Sequence, residues 1–580
     1  MAFLLPQLIR WRGHSLAQRF DAAAQDPEGA QRSLLLDLLK RHQDTAFGKE
    51  HCFSRIRTPA EYQRVPLHDY EALRPYVQRM MDGESNVLVS DPVEMFTLTS
   101  GTTGQPKYIP VTAVSEARNS ALMRQWLYRL LPDHPRALSR AIVGIVSPAV
   151  EGYTPSGIPY GSLSGRIYRQ LPPFVRRAYA IPYPVFEIKD YDSRYWAIAR
   201  FALARQVSMF CTPNPSTLLR LAAVLEAHPD RLIRAIHDGT LGIDGETAGL
   251  GRSPLAQLCA HLRPQPRRAK ALERVLATTG TLHPKDCWPH LKVIGCWTGG
   301  SVGTQAERLA VGYGAVPLRD LGYLASEARV TLPLGDRTPS GVLDLTLNYC
   351  EFIPESALEA EHPPIYLSHE LEVGQRYSIL LTTPGGLYRY PINDIVEVTG
   401  FYHHAPMLAF VRKGKDMSNL TGEKLHVNQI LLAMRQVQQQ LGWAIGPYQW
   451  VPNVADMTYH IYVEWLDERG DRWIQNTLLP ALDAALAQLN PEYAQKRASQ
   501  RLHRPCLHPM QPGWAEAVIR QAIAQGTRDA QYKWNVLPPD PPPILQPFLC
   551  GDLLEGSPDQ SGDQSLDFVP EKLAGDHPSF

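Results

Sequence analysis

Apolar residues recur at helical spacing through the first ninety positions, most plainly in RSLLLDLLKRHQ, and Pro59, Pro66 and Pro75 punctuate the stretch after it. The period then changes. EMFTLTS alternates Phe96 and Leu98 with Thr97 and Thr99, the period of a strand. After Pro110, VTAVSEARNSALMRQWLYRLL returns to helical spacing and is closed by Pro132. The expected local order is strand, loop, helix, with SGTTGQPK as the loop.

Downstream, NPSTLLRLAAVLEAH offers Asn214 or Ser216 as a cap and sets Leu218, Leu221, Ala222 and Leu225 on one stripe. LKVIGCWTGGSVG reads as a buried strand entering a Gly-rich turn, and RYSILLTT and DIVEVTGFY read as further strands. Strands alternating with helices predict an α/β architecture with ligands held at strand ends. The composition shifts after LAFVRKGKDMSN. A smaller α/β unit is expected there, with the helix VNQILLAMRQVQQQL, the alternating strand MTYHIYVEW, and helices over 472–489 and 513–525. LPPDPPPILQP then predicts extended polyproline, and EGSPDQSGDQSLD a disordered acidic tail.

A chain of 580 residues exceeds what one small core needs. With 58 acidic and 58 basic residues, the net charge gives a nucleic-acid role no electrostatic support. The eight cysteines are scattered without paired spacing, which suits a reducing compartment. MAFLLPQLIRWRG lacks the basic region and cleavage site of a secretory signal, and no apolar run reaches the length of a membrane span. A cytoplasmic protein without nucleic-acid or membrane partners is expected.

SGTTGQPK is not a Walker loop, since Gly101, Gly104 and Lys107 miss both the glycine gap and the Lys-Ser/Thr pair. Its chemistry is nevertheless suited to an anion. Gly101 and Gly104 let backbone amides approach closely, Ser100, Thr102 and Thr103 add hydroxyl donors, and Lys107 supplies mobile positive charge. The same residues also make a plain surface turn, and the segment alone leaves both readings open. Other chemistry is weakly supported. His503, Cys506 and His508 in HRPCLHP supply no fourth zinc ligand, GGSVG lacks the dinucleotide fingerprint, and no serine sits in a G-x-S-x-G elbow with a triad.

TLTSGTTGQPKYIP, YLASE (Tyr323 to Glu327), YCEFIP (Tyr349 to Pro354) and GLYRYPINDIVEVTGFY (Gly386 to Tyr402) together resemble the ordered motifs of adenylate-forming enzymes. More narrowly, they are similar to those of the auxin-responsive Gretchen Hagen acyl-acid amido synthetases, and DTAFGKEHCFSRIRTPAEYQRVPLHDYEALRPYV resembles that family's amino-terminal region. The likeness runs from near residue 30 to about residue 535. It implies an α/β fold with a large N-terminal adenylate-forming domain, its β-sheets flanked by helices, over residues 1–412. A smaller, mobile α/β C-terminal domain would come next over 413–536, then a Pro-rich and acidic tail over 537–580.

The resemblance also implies roles. The loop from Ser100 to Lys107 would wrap the ATP phosphates, Tyr323 would stack on adenine, and Ser326 would contact the α-phosphate. Glu327 would ligate Mg²⁺, and Asp394 would bind the ribose hydroxyls. Thr298, Gly299, Gly300 and Ser301 would form the adenine-side wall. Lys533, in AQYKW, would stabilise charge during adenylation, with Lys424 of TGEKL as a second phosphate or carboxylate contact. Two positions depart from the family pattern. Asn393 replaces a glycine and Trp534 comes directly after Lys533.

The implied activity is an ATP-dependent ligase that activates a carboxylic acid as its acyl-AMP and passes the acyl group to an amino-acid amine. Its cofactors would be ATP and Mg²⁺, its partners a small carboxylic acid and an amino acid, and its state a monomer. An acyl-CoA synthetase and a catalytically silent nucleotide-binding homologue are the alternatives.

Overall fold

A computed structural model describes residues 4–549 apart from 100–106, 244–257, 260–261, 300–302, 359, 415–416, 444, 516, 519–520, 522–534 and 542–547. The N-terminal region is helical, as its apolar spacing predicts. Leu4–Gln25 is succeeded by Pro27–His42, whose first turn is held by Asp26 accepting from the Gly29 amide at 3.0 Å. Leu34, Leu35, Leu38 and Leu39 put one face of that helix into the core. Tyr70–Met81 starts the same way, from the Asp69 carboxylate, and tolerates Pro75 inside it.

Val93–Thr99 is the expected strand, but the segment beyond the glycine loop departs from the expected helix. Lys107–Thr112 is a second strand, paired antiparallel to the first from Thr99↔Lys107 to Val93↔Thr112, and the helix begins only at Ala113. The loop therefore closes a hairpin. Tyr108, Ile109 and Val111 favour extended backbone, and burial of Ile109 and Val111 rewards it. The helix Ala113–Asp133 is capped reciprocally by Thr112 and Ser115.

Three sheets build the region up to residue 413. The hairpin forms one sheet with Pro159–Gly161 and Gly152–Tyr153. Ala141–Gly144, Val207–Cys211, Val293–Gly295 and Leu318–Arg319 form a four-stranded parallel sheet in that order. A seven-stranded antiparallel sheet runs from Tyr366–Leu367 through Tyr349–Pro354, Arg376–Thr382, Tyr390–Tyr402, Ala405–Lys413 and Gly341–Leu343 to Thr331–Leu332. The protein is α/β, and helices such as Pro215–Ala227, with Leu218, Leu221, Ala222 and Leu225 buried, cover the parallel sheet.

Residues 420–537 build a hydrophobic core of their own. The helix Val427–Leu441 packs Ile430, Met434 and Val437 inward, and Thr458–Trp465 alternates with Tyr459, Ile461 and Val463 buried. The expected helix over 472–489 is continuous but carries a π-helical turn at Ile474–Leu478. Most of 513–525 and all of 551–580 lie outside the described residues, as does Cys550.

Two motif residues serve the fold. Arg389 is buried and pairs with the buried Glu351 at 2.9 Å while donating to the carbonyls of Gln63 and Val65. It ties the helical N-terminal region to two strands of the large sheet. Asn393 sits at φ 63, the left-handed region that the family's glycine would occupy freely, and asparagine adopts it readily. Gly414 has no Cβ to collide with the Asn393 amide, whose Oδ1 would lie 1.8 Å from one.

Candidate functional site

One cavity of about 1890 Å³ opens where the three N-terminal sheets meet residues 417–501. Its walls collect residues from most of the motifs. Tyr323, Ser326 and Glu327 line it from the segment between Leu318–Arg319 and Thr331–Leu332, Asp394 from the large sheet, Lys107 from the hairpin, Gly299 from the turn after Val293–Gly295, and Lys424 from beyond residue 413. Ser100, Gly101, Thr102, Thr103, Gly104, Gly300, Ser301, Lys533 and Trp534 lie outside the described residues.

Tyr323 and Asp394 act as a unit. The Tyr323 hydroxyl donates to Asp394 Oδ2 at 2.6 Å, and the ring stacks on Phe410 at an interplanar angle of 30° with centroids 6.0 Å apart. Burial, reinforced by the Asp394 charge, pushes the phenol well above its ordinary pKa, so it remains a donor. The bond joins residues 71 positions apart and fixes the aromatic plane relative to the carboxylate.

Lys107 is held rather than mobile. It is buried, its Nζ donates to the Tyr390 hydroxyl at 3.1 Å, and it lies 5.6 Å and 5.8 Å from the ring centroids of Tyr70 and Tyr390. The hydroxyl of Thr97 approaches the Ser326 carbonyl at 3.4 Å, so the first hairpin strand backs the segment that carries Ser326 and Glu327.

The Thr298 turn depends on Asp320, a residue outside every recognisable motif. Asp320 Oδ2 accepts from the Thr298 amide at 2.6 Å and its hydroxyl at 2.7 Å, and Oδ1 accepts from the Gly322 amide at 2.7 Å. Burial raises this carboxyl to about 6 against the pull of those donors. Gly299 has a steric reason to be glycine, since a Cβ would stand 2.5 Å from Pro339 Cβ. Trp126, an aromatic of the helix after the hairpin, is buried, with its indole N–H on the Asp320 carbonyl at 2.7 Å. Tyr153 is exposed on the surface.

Lys424 adopts a left-handed backbone, φ 44, within a buried network. Glu423 accepts from the Leu420 and Thr421 amides and from the Tyr459 hydroxyl, and Asn490 donates to the Glu423 and Lys424 carbonyls. Burial works against the charged ammonium of Lys424, but Glu492, Glu327 and Asp394 outweigh it and raise the pKa. This lysine thus shares a field with the two carboxylates of the candidate nucleotide end. Lys496, on Pro491–Ala498, has the opposite environment: burial, with Arg501 and Lys424 nearby, lowers it to about 7 despite Glu492 and Glu423.

Among the described residues, no group of three or more His, Cys, Asp or Glu could hold a metal ion, and His508 pairs with His460 at 2.9 Å. No described helix is long and apolar enough to cross a membrane.

Comparison with known proteins agrees with this arrangement. The GH3 family N-terminal, central and C-terminal domain models match residues 16–318, 341–413 and 428–541. A probable indole-3-acetic acid-amido synthetase GH3.1 of Oryza sativa subsp. japonica is 26% identical over 500 residues, covering 81% of this chain and 80% of that protein. The indole-3-acetic acid-amido synthetase GH3.3 of Arabidopsis thaliana is 23% identical over 542 residues, covering 87% and 88%. The fold matches that of AtGH3.15 acyl acid amido synthetase in complex with 2,4-DB, with a TM-score of 0.63 and 18% identity over 91% of this chain and 94% of that one. With all three domain models in order along nearly the whole chain, the protein belongs to the GH3 family.

Proposed function

We propose that the protein is an ATP-dependent acid-amino acid ligase, which activates a carboxylic acid as acyl-AMP with release of pyrophosphate and transfers the acyl group to an amino-acid amine. The observation that carries this reading is the single cavity gathering Lys107, Tyr323, Ser326, Glu327, Asp394 and Lys424 from elements spread over some three hundred positions. The amido synthetases among its relatives support the amine as acceptor.

A carboxylate resists an amine because its carbonyl is electron-rich and oxide is a poor leaving group. Attack of its oxygen on the α-phosphorus of ATP expels pyrophosphate and turns that oxide into the bridging oxygen of an AMP leaving group. Tyr323 and Asp394 would orient the adenosine, the aromatic plane against adenine and the carboxylate towards the ribose hydroxyls. Ser326 and Lys424 would take the α-phosphate oxygens as charge gathers there. The loop from Ser100 to Gly104, with Lys107, would hold the outgoing phosphates, and Thr298 to Ser301 would wall the adenine. Glu327 suits Mg²⁺, a hard cation that nucleotide sites hold with one or two carboxylates and the phosphates themselves. When bound, the ion offsets phosphate charge.

Residues 1–412 would act as the acid and nucleotide domain, and 413–536 as a mobile domain turning about 412–416 to bring Lys533 in for adenylation and to admit the amine afterwards. The separate core of residues 420–537 supports that division. Unpaired cysteines among the described residues suit a reducing cytoplasm, and a monomer suffices for a cavity built within one chain. The test is pyrophosphate release from purified protein with ATP, Mg²⁺ and a panel of acids, with and without amino acids or CoA. Release requiring an acid, with an amide detected by mass spectrometry, supports the reading; a thioester in place of the amide would overturn the choice of acceptor.

A further inference from the structure

The cavity extends past its nucleotide end, and three helices wall the extension. At about 1890 Å³ the whole space exceeds the roughly 300–1,000 Å³ of a usual small-molecule site. Leu8 and Ile9 line it from Leu4–Gln25, Met123 and Leu127 from Ala113–Asp133, and Ile167 from Leu163–Gln170, with Leu171 just past the end of that helix.

Hydrogen bonds and close packing hold these helices together. Glu116 of Ala113–Asp133 accepts from the Arg166 guanidinium of Leu163–Gln170 at 2.8 Å, and Gln125 donates to the Leu16 carbonyl of Leu4–Gln25 at 3.0 Å. Tyr128 lies against Gly13, where a Cβ would stand 2.6 Å from its ring. Gly165 draws Leu163–Gln170 inward, since a Cβ there would stand 2.2 Å from the Ser147 carbonyl oxygen. Ile167 and Leu171, one turn apart, are left facing the cavity.

One stripe of Ala113–Asp133 gives the extension its direction. Asn119, Met123 and Leu127 recur every fourth residue and all line the cavity. Asn119 also borders a small recess with Ser326 and Glu327, so the polar start of the stripe lies at the nucleotide end. From there to Leu127 the helix rises roughly 12 Å, at 1.5 Å per residue. Leu8, Ile9, Met123, Leu127, Ile167 and Leu171 are all half-buried, so the core does not finish covering them. Arg12, Arg124 and Phe174 also line the cavity and are exposed, which marks where it meets water.

We infer that the acid substrate is a long-chain aliphatic monocarboxylic acid, with its carboxyl beside Ser326 and its hydrocarbon chain lying between the three helices. The walls offer a chain hydrocarbon contact, and they are continuous with the place where its carboxyl must meet ATP. A single-ring acid would cover only the inner part of the stripe. This rests on the ligase reading and gives it a substrate class.

The test uses the full chain and straight-chain acids from butyric to palmitic at sub-micellar concentrations. Pyrophosphate release gives kcat/KM for each acid, and displacement of the fluorescent cis-parinaric acid gives binding separately. The expected result is a rise in kcat/KM of roughly twofold to fourfold per added methylene, levelling off once the chain reaches the exposed rim. Met123→Trp and Ile167→Trp add bulk to the extension from different helices. Each should cut the palmitate-to-butyrate ratio of kcat/KM by roughly tenfold or more, with melting temperatures confirming that the variants fold. A wild-type rate that is flat or falls with chain length, or equal losses for both acids in the folded variants, would overturn the inference and leave the ligase standing. Displacement by palmitate without pyrophosphate release from any acid would overturn the ligase reading alone. Absence of displacement by palmitate, which needs no variant, would overturn the inference.

Discussion

Arg389 and Arg329 carry the same charge into the fold and meet different surroundings. Arg389 finds a buried carboxylate at 2.9 Å and the backbone carbonyls of the half-buried Gln63 and the buried Val65. Arg329 has no such partners among the described residues and opens on a cavity. The first is accounted for by the fold, because YCEFIP and GLYRYP travel together to make a staple between strands. The second stays half-exposed on the cavity wall instead of being enclosed by partners. Partners within the fold thus mark Arg389 as a residue that holds the structure, whereas Arg329 keeps its guanidinium on the cavity wall.

The largest effect should come from breaking the buried ion pair. Arg389→Met leaves Glu351 buried without its partner. Burial already pushes that carboxyl up against the pull of Arg389. The expected loss is roughly 3–5 kcal/mol of stability, read from urea unfolding. A loss below about 1 kcal/mol, the range of an exposed ion pair, would remove the contrast.

Tyr323→Phe should have a smaller effect, because one hydrogen bond is lost while the ring remains against Phe410. About 1–2 kcal/mol is expected, appearing as a roughly tenfold rise in KM for ATP with little change in melting temperature. An unchanged KM would separate this pair from nucleotide binding.

Lys496 sharpens the comparison through pH. Its folded pKa, about 7, lies below the ordinary lysine value of 10.5. Between those values the unfolded chain holds more protons than the folded one, so this group's contribution to stability rises with pH across that window. Lys496→Met should therefore raise the melting temperature most at pH 7 and below, and the gain should vanish near pH 10.5. A gain independent of pH would assign the effect to packing. The smallest change is expected for the melting temperature of Arg329→Met without substrate, which should stay level or rise slightly; a clear fall would mean that Arg329 supports the fold.

Much of this arrangement was legible in the residues. Period changes located the strands Val93–Thr99, Val293–Gly295 and Arg376–Thr382 and the helices Pro215–Ala227 and Val427–Leu441, because each buries a regular face. The strand after the glycine loop was hidden, since Lys107, Tyr108 and Pro110 weaken the alternation while Ile109 and Val111 carry the burial. Motif order brought Tyr323, Glu327, Asp394 and Lys424 to one cavity. Asp320 was not visible, because its role is to accept hydrogen bonds from a turn 22 positions away. A buried acid before Leu321 and Gly322, next to a strand end, was the sign it offered. Arg329 and Lys496 left less trace. Arginine and lysine are mostly solvated, and only the folded surroundings reveal that these two are desolvated.

The most direct measurement labels both oxygens of the reacting carboxyl with ¹⁸O and tracks the label through one turnover with an amino-acid acceptor. If the acid is activated on the α-phosphorus and the amine then displaces AMP, one labelled oxygen appears in AMP, the other remains in the amide, and pyrophosphate is unlabelled. Label in inorganic phosphate with ADP as the nucleotide product, or amide formation with unlabelled AMP, would contradict it.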